Sequence, residues 1–230
     1  MNRHAGWRFV LGEVAITTIG ILIAVAVNAW WQDRQDRRTE LEALREMRVV
    51  LAGDVDDLRE DLARYGRVDR STRLLLDRMH RGLPPAPGMD TLFGAQLIYR
   101  SHLSNATAYE SLRSRGLGII ADDSLRLAVI DFYGLQNSTV ALWNQIDTRQ
   151  VDEDVRPFFR THFRLRPGSA TTPRGAVPLD YAALARDPAF EGLLATRLET
   201  LGAVIRTYEQ AIARGERLRA LLDRRIARLR

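Results

Sequence analysis

The sequence predicts an all-α protein in which one N-terminal transmembrane helix continues into an antiparallel helical bundle. Residues 9–31 form a long apolar segment that contains only two strongly polar side chains. The rest of the chain repeats apolar residues at three- and four-residue spacing, which is typical of one helix face. No run shows the alternation of a half-buried strand. We therefore expect a short basic tail (1–8), a transmembrane helix (9–31) and a helical extramembrane domain (32–230).

Residues 9–31 have the length and the flanks of a membrane span. At about 1.5 Å per residue the segment reaches roughly 34 Å, which exceeds a hydrocarbon core of about 30 Å. Trp7 precedes it and Trp30-Trp31 close it, as in an aromatic belt. A cleaved signal peptide is the alternative, with Val27-Asn28-Ala29 as the cleavage site. The length of the segment, its internal acid and the helical pattern after it favour the span.

The polar and small residues of the span share one face. Thr17, Gly20, Ala24 and Asn28 follow at helical spacing, and Gly20 and Ala24 form a small-xxx-small pair. Such pairs let two membrane helices approach closely, so we predict a helix–helix contact and a homo-oligomer. Glu13 extends the face. It is either an acid placed near a helix N-terminus and the headgroups, or an intramembrane polar site.

The charges that flank the span bear on membrane orientation. Arg3 and Arg8 precede the span, whereas Arg34, Arg37 and Arg38 follow it, so arginine counting leans toward a cytoplasmic domain.

The domain begins as a stalk helix, predicted for residues 32–82, in which charged residues separate the apolar ones. The segment "GLPPAPG" at 82–88 ends this helix, because proline and glycine stop helices. A helical bundle follows at 89–230. In this region "RPGSATTPRGAVP" (166–178) is predicted as a surface loop, and a short helix is expected at 181–185.

Capping residues mark where the bundle helices begin. Thr107 and Glu110 have the spacing of a capping box, and Asp122 or Asp123 can cap the next helix. Asp187-Pro188 opens the last helix, with the acid as cap and proline at the first position. The predicted buried stripe of that helix consists of Phe190, Leu194, Leu198, Leu201, Ile205, Tyr208 and Ile212.

The remaining motifs do not indicate an enzyme or a cofactor. "GLGIIA" (116–121) has glycines like those of a dinucleotide fingerprint, but a predicted helix precedes it where a strand is required. The four histidines lack metal-ligand spacing, and Asp152-Glu153-Asp154 reads as a solvated helix surface. The chain has no cysteine, and no nucleophile–base–acid set emerges. Because its 29 acids are interleaved with its 34 basic residues, all of them arginine, nucleic acid is not an expected partner.

The C-terminal helix is basic and carries a candidate contact with lipid headgroups. Arg224, Arg225 and Arg228 lie in its last turns. If the helix returns to the bilayer, they can reach anionic headgroups. Alternatively, they form an exposed helix end whose cations suit the helix dipole.

Three segments together resemble a known bacterial family. They are "GEVAITTIGILIAVAVNAWWQDRQDRR", "AYESLRSRGLGIIADDSLRLAVIDFY" (108–133) and "LARDPAFEGLL" (184–194). They are similar to an uncharacterised family known as domain of unknown function 6090. The resemblance implies a single-span protein with a helical extramembrane domain, and it implies no activity. Analogy with relatives that carry a basic leader places the N-terminus inside, against the arginine count. We therefore expect a single-pass protein of the bacterial inner membrane whose domain lies outside the cytoplasm.

These observations lead to two main functional hypotheses and to a third, an enzyme whose site no motif reveals. The first is a non-catalytic, membrane-anchored interaction or scaffold protein that self-associates through span and stalk. The second is an extracytoplasmic, sensor-like bundle that binds a small ligand and signals through a membrane-protein partner. A polar cavity within the bundle would favour the second.

Overall fold

A computed structural model gives the architecture of the chain. It describes the backbone of residues 3–99, 107–168 and 174–229, and within these ranges the side chains from residue 18 onward. The first helix, α1, runs from Arg3 to His80 without interruption. It thus joins the predicted span and the stalk in one helix, and it passes Gly66 without a break.

In the described residues, seven further α-helices and one hairpin follow α1. The glycine- and proline-rich segment after His80 turns the chain, with Gly82 and Gly88 at positive φ. The later elements are α2 (Met89–Ala95), α3 (Thr107–Arg115), α4 (Asp123–Ile130), α5 (Asn137–Gln150), α6 (Arg156–His162), β1 (Phe163–Arg166), β2 (Gly175–Pro178), α7 (Tyr181–Leu184) and α8 (Pro188–Arg228). The predicted all-α class is confirmed.

α1 and α8 form the most extensive helix pair in the bundle and run antiparallel. Ion pairs join them along their length: Glu40 with Arg225, Arg48 with Asp223, and Arg59 with Glu216. Apolar residues at three–four spacing on each helix pack between them. The C-terminal end of α8 therefore lies beside residues 33–45 of α1.

The segment from α4 to α6 is one continuous helical path with two π-helical segments. Asp122 caps α4 by accepting a hydrogen bond from the Leu125 N–H at 3.1 Å, which decides between the two predicted caps. The backbone widens to π-helix at Asp131–Gln136 and again at Val151–Val155. Such widening changes which side chains of the later turns face the core.

The prediction of a loop at 166–178 was wrong at both ends of that segment. β1 and β2 form an antiparallel hairpin in which Phe163 pairs with Pro178 and Arg166 with Gly175. In β1 only Phe163 is buried, and the other three residues are exposed. Four residues with one buried side chain are too few to produce a recognisable alternation, which is why the pattern gave no sign of a strand.

Among the described residues, the apolar core consists of two clusters. The proximal core, toward the start of the stalk, joins α1, α3, α4 and α8 through residues such as Leu44, Leu58 and Leu222. The distal core lies around the hairpin, where the rings of Phe93, Phe159, Phe163 and Phe190 pack together. Phe159 and Phe163 stack with ring centroids 4.1 Å apart.

The predicted membrane span is not supported by the described residues. In the part of the chain whose side chains are described, no helix combines the length and apolar character needed to cross a bilayer. Residues 1–17, which contain the first part of the predicted span, lie outside that part. The span therefore stays a prediction.

Candidate functional site

A layer of buried polar side chains separates the two apolar cores. Along α1, the last residue of the proximal core is Val68 and the first residue of the distal core is Leu75. Following α8, the distal core ends at Leu194 and the proximal core starts at Leu201. The buried polar side chains in and next to this gap form what we call the polar layer: Tyr65, Thr72, Gln96, Asn144, Asp147, Gln150, Arg197 and Tyr208.

An ion pair between Arg197 and Asp147 is the centre of the polar layer. Neither side chain is exposed by more than 1%. The Arg197 guanidinium donates to Asp147 Oδ1, to Gln150 Oε1 at 3.2 Å and to the Ile98 carbonyl at 3.0 Å. A buried charge is costly unless it is paired and hydrogen-bonded, and these contacts meet that condition.

Two tyrosines, one from α1 and one from α8, donate to the α5 side chains of the layer. The Tyr65 hydroxyl donates to Asp147 Oδ2 at 3.1 Å, and the Tyr208 hydroxyl donates to Asn144 Oδ1 at 3.1 Å. The two rings pack at a centroid distance of 5.4 Å. Arg197 Nε and Asn144 Nδ2 have no hydrogen-bond partner among the described residues. The layer thus ties α1, α5 and α8 together at one height.

Further buried polar contacts lie on either side. Thr72 Oγ1 donates to Gln96 Oε1 at 2.9 Å, which fixes α2 to α1. In the proximal core the Tyr133 hydroxyl donates to Asp54 Oδ2 at 3.2 Å. Burial, and then the charge of Asp54, raise the pKa of Tyr133 well above its ordinary value. The tyrosine therefore stays neutral and remains a donor.

The chemistry of the polar layer is that of a structural network. Its charged groups pair with each other, and its hydroxyls donate to carboxylate or amide oxygens. Buried polar contacts of this kind fix the register of helices in some bundles. We interpret the layer as the device that sets the register of α1, α5 and α8.

The second site lies where α8 ends beside the stalk. The buried Glu40 carboxylate accepts two hydrogen bonds from Arg225, at 2.8 and 2.7 Å, and one from the Ala121 N–H at 3.3 Å. The hydrogen bond to Glu40 raises the pKa of Arg225 above its ordinary value. A cleft of about 710 Å³, the stalk-end cleft, opens here between Asp33, Glu40, Ala121 and Arg228.

The predicted lipid-contact arginines have different surroundings. Arg224 and Arg228 are exposed, whereas only 20% of the Arg225 side chain is exposed, because it pairs with Glu40. The structure thus places Arg225 in the joint between α8 and α1. Arg228 lines the stalk-end cleft.

The predicted span contact lies partly within the described residues. Gly20, Ala24 and Asn28 are exposed on α1, and a Cβ atom added to Gly20 would meet no atom within 4 Å. Thr17 and Glu13 lie outside the residues whose side chains are described. The single chain therefore leaves the described half of this face free for a second helix.

The motifs that we set aside have structural roles in the described residues. Gly116 ends α3 at φ 95° and leads into a 3₁₀ turn, so a helix precedes "GLGIIA". Asp152 and Glu153 pair with Arg156 and Arg149 on the helix surface. Within the described residues no group of three or more His, Asp or Glu side chains is placed to hold a metal ion.

Sequence reasoning missed the polar layer, although a signal was present. In α8, Leu194, Arg197, Leu201 and Val204 are buried at three–four spacing, with Arg197 at a core position. The predicted stripe contains Leu198 instead, because a pattern of apolar residues excludes an arginine from a core position. Of the predicted stripe, Leu198, Ile205 and Ile212 are only partly buried.

Comparison of the chain with family models, with curated proteins and with solved structures finds no match. The family resemblance given above stays a prediction.

Proposed function

We propose that the protein is a non-catalytic, single-span membrane protein that presents a rigid helical domain for interaction and self-associates through its first helix. α1 is the feature that carries the proposal. It is one helix from Arg3 to His80, of which the later part packs into the bundle. The N-terminal part extends from the bundle.

The exposed side chains of this extension support membrane anchorage. From Ile19 to Trp31, large apolar side chains around the helix are each more than half exposed: Ile19, Ile21, Leu22, Ile23, Val25, Val27, Trp30 and Trp31. Burying one such side chain contributes about 1.5–3 kcal/mol. A bilayer would cover all of them at once, with the two tryptophans at its surface.

The small residues of the same extension support self-association. Gly20 and Ala24 leave room for a second backbone, and in lipid close packing is a main source of helix association. Asn28 can add an interhelical hydrogen bond on the same face. The second copy of this helix is the partner that we propose.

Anchorage can be tested with one arginine substitution and its matched control. Leu22→Arg places a charge near the middle of the span, which costs about 2.5–3.5 kcal/mol for insertion. We expect alkaline carbonate to release this variant from membranes and to leave the wild type in the pellet. Leu142→Arg changes a comparably exposed leucine of the bundle and should stay membrane-bound. Release of the wild type by carbonate would contradict anchorage.

Self-association can be tested in a reporter assay for membrane-helix association. Gly20→Ile should lower the signal severalfold, because the larger side chain separates the two backbones. Ala26→Ile, on the other side of the helix, makes a similar increase in size and should change little. Equal signals from the two variants would argue against the proposed face. Glu13→Gln weakens association only if Glu13 is part of the contact.

A second candidate function, small-ligand binding, is favoured by the stalk-end cleft. Its volume of about 710 Å³ and its mixture of carboxylates and guanidinium groups suit a polar ligand. A ligand that raises the unfolding temperature of the wild type, but not of Glu40→Gln, would support this candidate. If ligands stabilise both proteins equally, the cleft does not bind them.

A further inference from the structure

We propose that the stalk carries a binding site for the phosphate groups of anionic phospholipids, formed jointly by α1 and the end of α8. The site is a cleft of about 480 Å³ that we call the basic cleft. Its described lining contains five arginines, Arg34, Arg37, Arg38, Arg45 and Arg228, above two leucines. This inference rests on the proposed membrane anchorage.

The antiparallel fold brings these arginines together. Four of them come from α1 and lie within eleven residues of one another, whereas Arg228 arrives from the far end of the chain because α8 returns along α1. Leu41 and Leu229, one from each helix, form the apolar floor. Neither helix alone contains this arrangement.

Three acids close to the basic cleft pair with arginines, and Glu42 borders Arg34 and Arg38 in a neighbouring pocket. Glu40 accepts from Arg225 at 2.8 Å, and Asp223 accepts from Arg48 at 2.5 Å. Asp33 pairs with Arg37 at 3.0 Å, so Arg37 is partly neutralised. Arg34, Arg38 and Arg228 are exposed and are therefore the cations that we assign to the ligand.

The height of the cleft fits the headgroup layer. With a rise of about 1.5 Å per residue, Arg34 lies roughly 5 Å and Arg38 roughly 10 Å beyond Trp31. The headgroup layer is about 5–8 Å thick on each side, so the Arg34 backbone lies within it and the Arg38 backbone just beyond it. Helical side chains tilt toward the helix N-terminus, so the long Arg38 side chain is directed back to the headgroups. Arg34 also lies over the Trp30 ring, 5.8 Å from its centroid, which links the basic cleft to the predicted aromatic belt. Arg45 lies roughly 20 Å beyond Trp31 and is too distant for headgroup contact.

Guanidinium groups are suited to this ligand. Each can donate two parallel hydrogen bonds to a phosphate, and arginine keeps its charge at any physiological pH. A basic residue near an anionic surface strengthens binding about fivefold. Three such residues converging on one cleft should therefore select anionic over zwitterionic lipids.

The test uses the full chain reconstituted in phosphatidylcholine vesicles that contain phosphatidylglycerol. Electron spin resonance compares the association of spin-labelled phosphatidylglycerol with that of spin-labelled phosphatidylcholine. We expect the wild type to prefer phosphatidylglycerol severalfold, and high salt to weaken the preference because it screens exposed charges. The triple variant Arg34→Gln/Arg38→Gln/Arg228→Gln should lose most of the preference.

Two controls separate this site from general charge effects. Arg160→Gln/Arg164→Gln/Arg186→Gln removes the same charge from exposed arginines at the distal end and should keep the preference. Arg45→Gln should also keep the preference, because Arg45 lies too far from the bilayer to contact headgroups. The basic cleft does not bind anionic lipid if the distal triple variant loses as much of the preference as the Arg34/Arg38/Arg228 variant. The same conclusion follows if the wild type shows no preference.

The outcomes also separate a failure of the lipid site from a failure of membrane anchorage, and lipid binding from binding of free phosphate. A chain that stays in the vesicles after carbonate but shows no lipid preference contradicts only the basic cleft. A chain released by carbonate contradicts the anchorage itself. Added inorganic phosphate should leave the preference for phosphatidylglycerol unchanged. If a low phosphate concentration abolishes that preference, the ligand of the basic cleft is soluble phosphate instead.

Discussion

At the scale of single residues, the interior depends on two opposite charges that are fully withdrawn from water. Arg197 and Asp147 come from different helices, α8 and α5, and the charge of each is neutralised only while the other is present. Such a pair adds little net stability compared with apolar residues, but removing one partner leaves a buried charge.

We therefore predict a large cost for Arg197→Met and a strong coupling with Asp147. The single variant should lose about 3–5 kcal/mol in the free energy of unfolding. Arg197→Met/Asp147→Leu should lose clearly less than the sum of the two single variants, as measured by urea unfolding in detergent. Arg206→Met, on the exposed side of the same helix, serves as control. Additive losses would contradict the coupling.

A second residue-scale prediction concerns Tyr133 and high pH. Because burial raises the pKa of Tyr133 in the folded chain, the stabilising effect of its neutral form is complete below the unfolded pKa of about 10 and declines as the pH rises above it. Unfolding free energies at about pH 8 and pH 11 should differ less in Tyr133→Phe than in the wild type. Tyr99→Phe, which changes a half-buried tyrosine, should keep the wild-type difference.

At the scale of elements, helices whose buried stripe is apolar could be predicted from the sequence, whereas buried polar positions could not. The long first helix, the glycine–proline turn and the Asp187 cap follow from local rules of propensity and capping. The polar layer does not, because Arg197 reaches a core position only with partners from α5 and from the segment after α2. The β hairpin likewise depends on contact with α2, which no local pattern records.

One glycine sets how closely α8 approaches its neighbours. A Cβ atom at Gly215 would lie 2.6 Å from Val55 Cγ2 and 3.2 Å from the Phe132 ring. Gly215→Ala should therefore destabilise the chain by about 1–3 kcal/mol through overpacking. Gly192→Ala, in the same helix with nothing within 4 Å, should stabilise it by about 0.5–1 kcal/mol. Thermal unfolding of both variants checks the contrast, and stabilisation by both would show that α8 can shift.

At the scale of the whole molecule, the polar layer divides one bundle into two apolar halves. Phe190 is fully buried in the distal core, so Phe190→Ala should cost about 3–5 kcal/mol. In hydrogen exchange of Phe190→Ala, we expect amides of the distal core to lose protection first, while amides around Leu44 and Leu58 stay protected. Uniform loss along the chain would mean that the two cores open together.

The length of α1 has a geometric consequence. His80 stands roughly 70 Å along the helix from Trp31, and the hairpin gathers beside that far end. A protein anchored at Trp31 would hold its tip at a constant height above the bilayer, because a docked helix neither stretches nor folds back. The tip could then contact only those partners whose surfaces lie at the same distance from the bilayer.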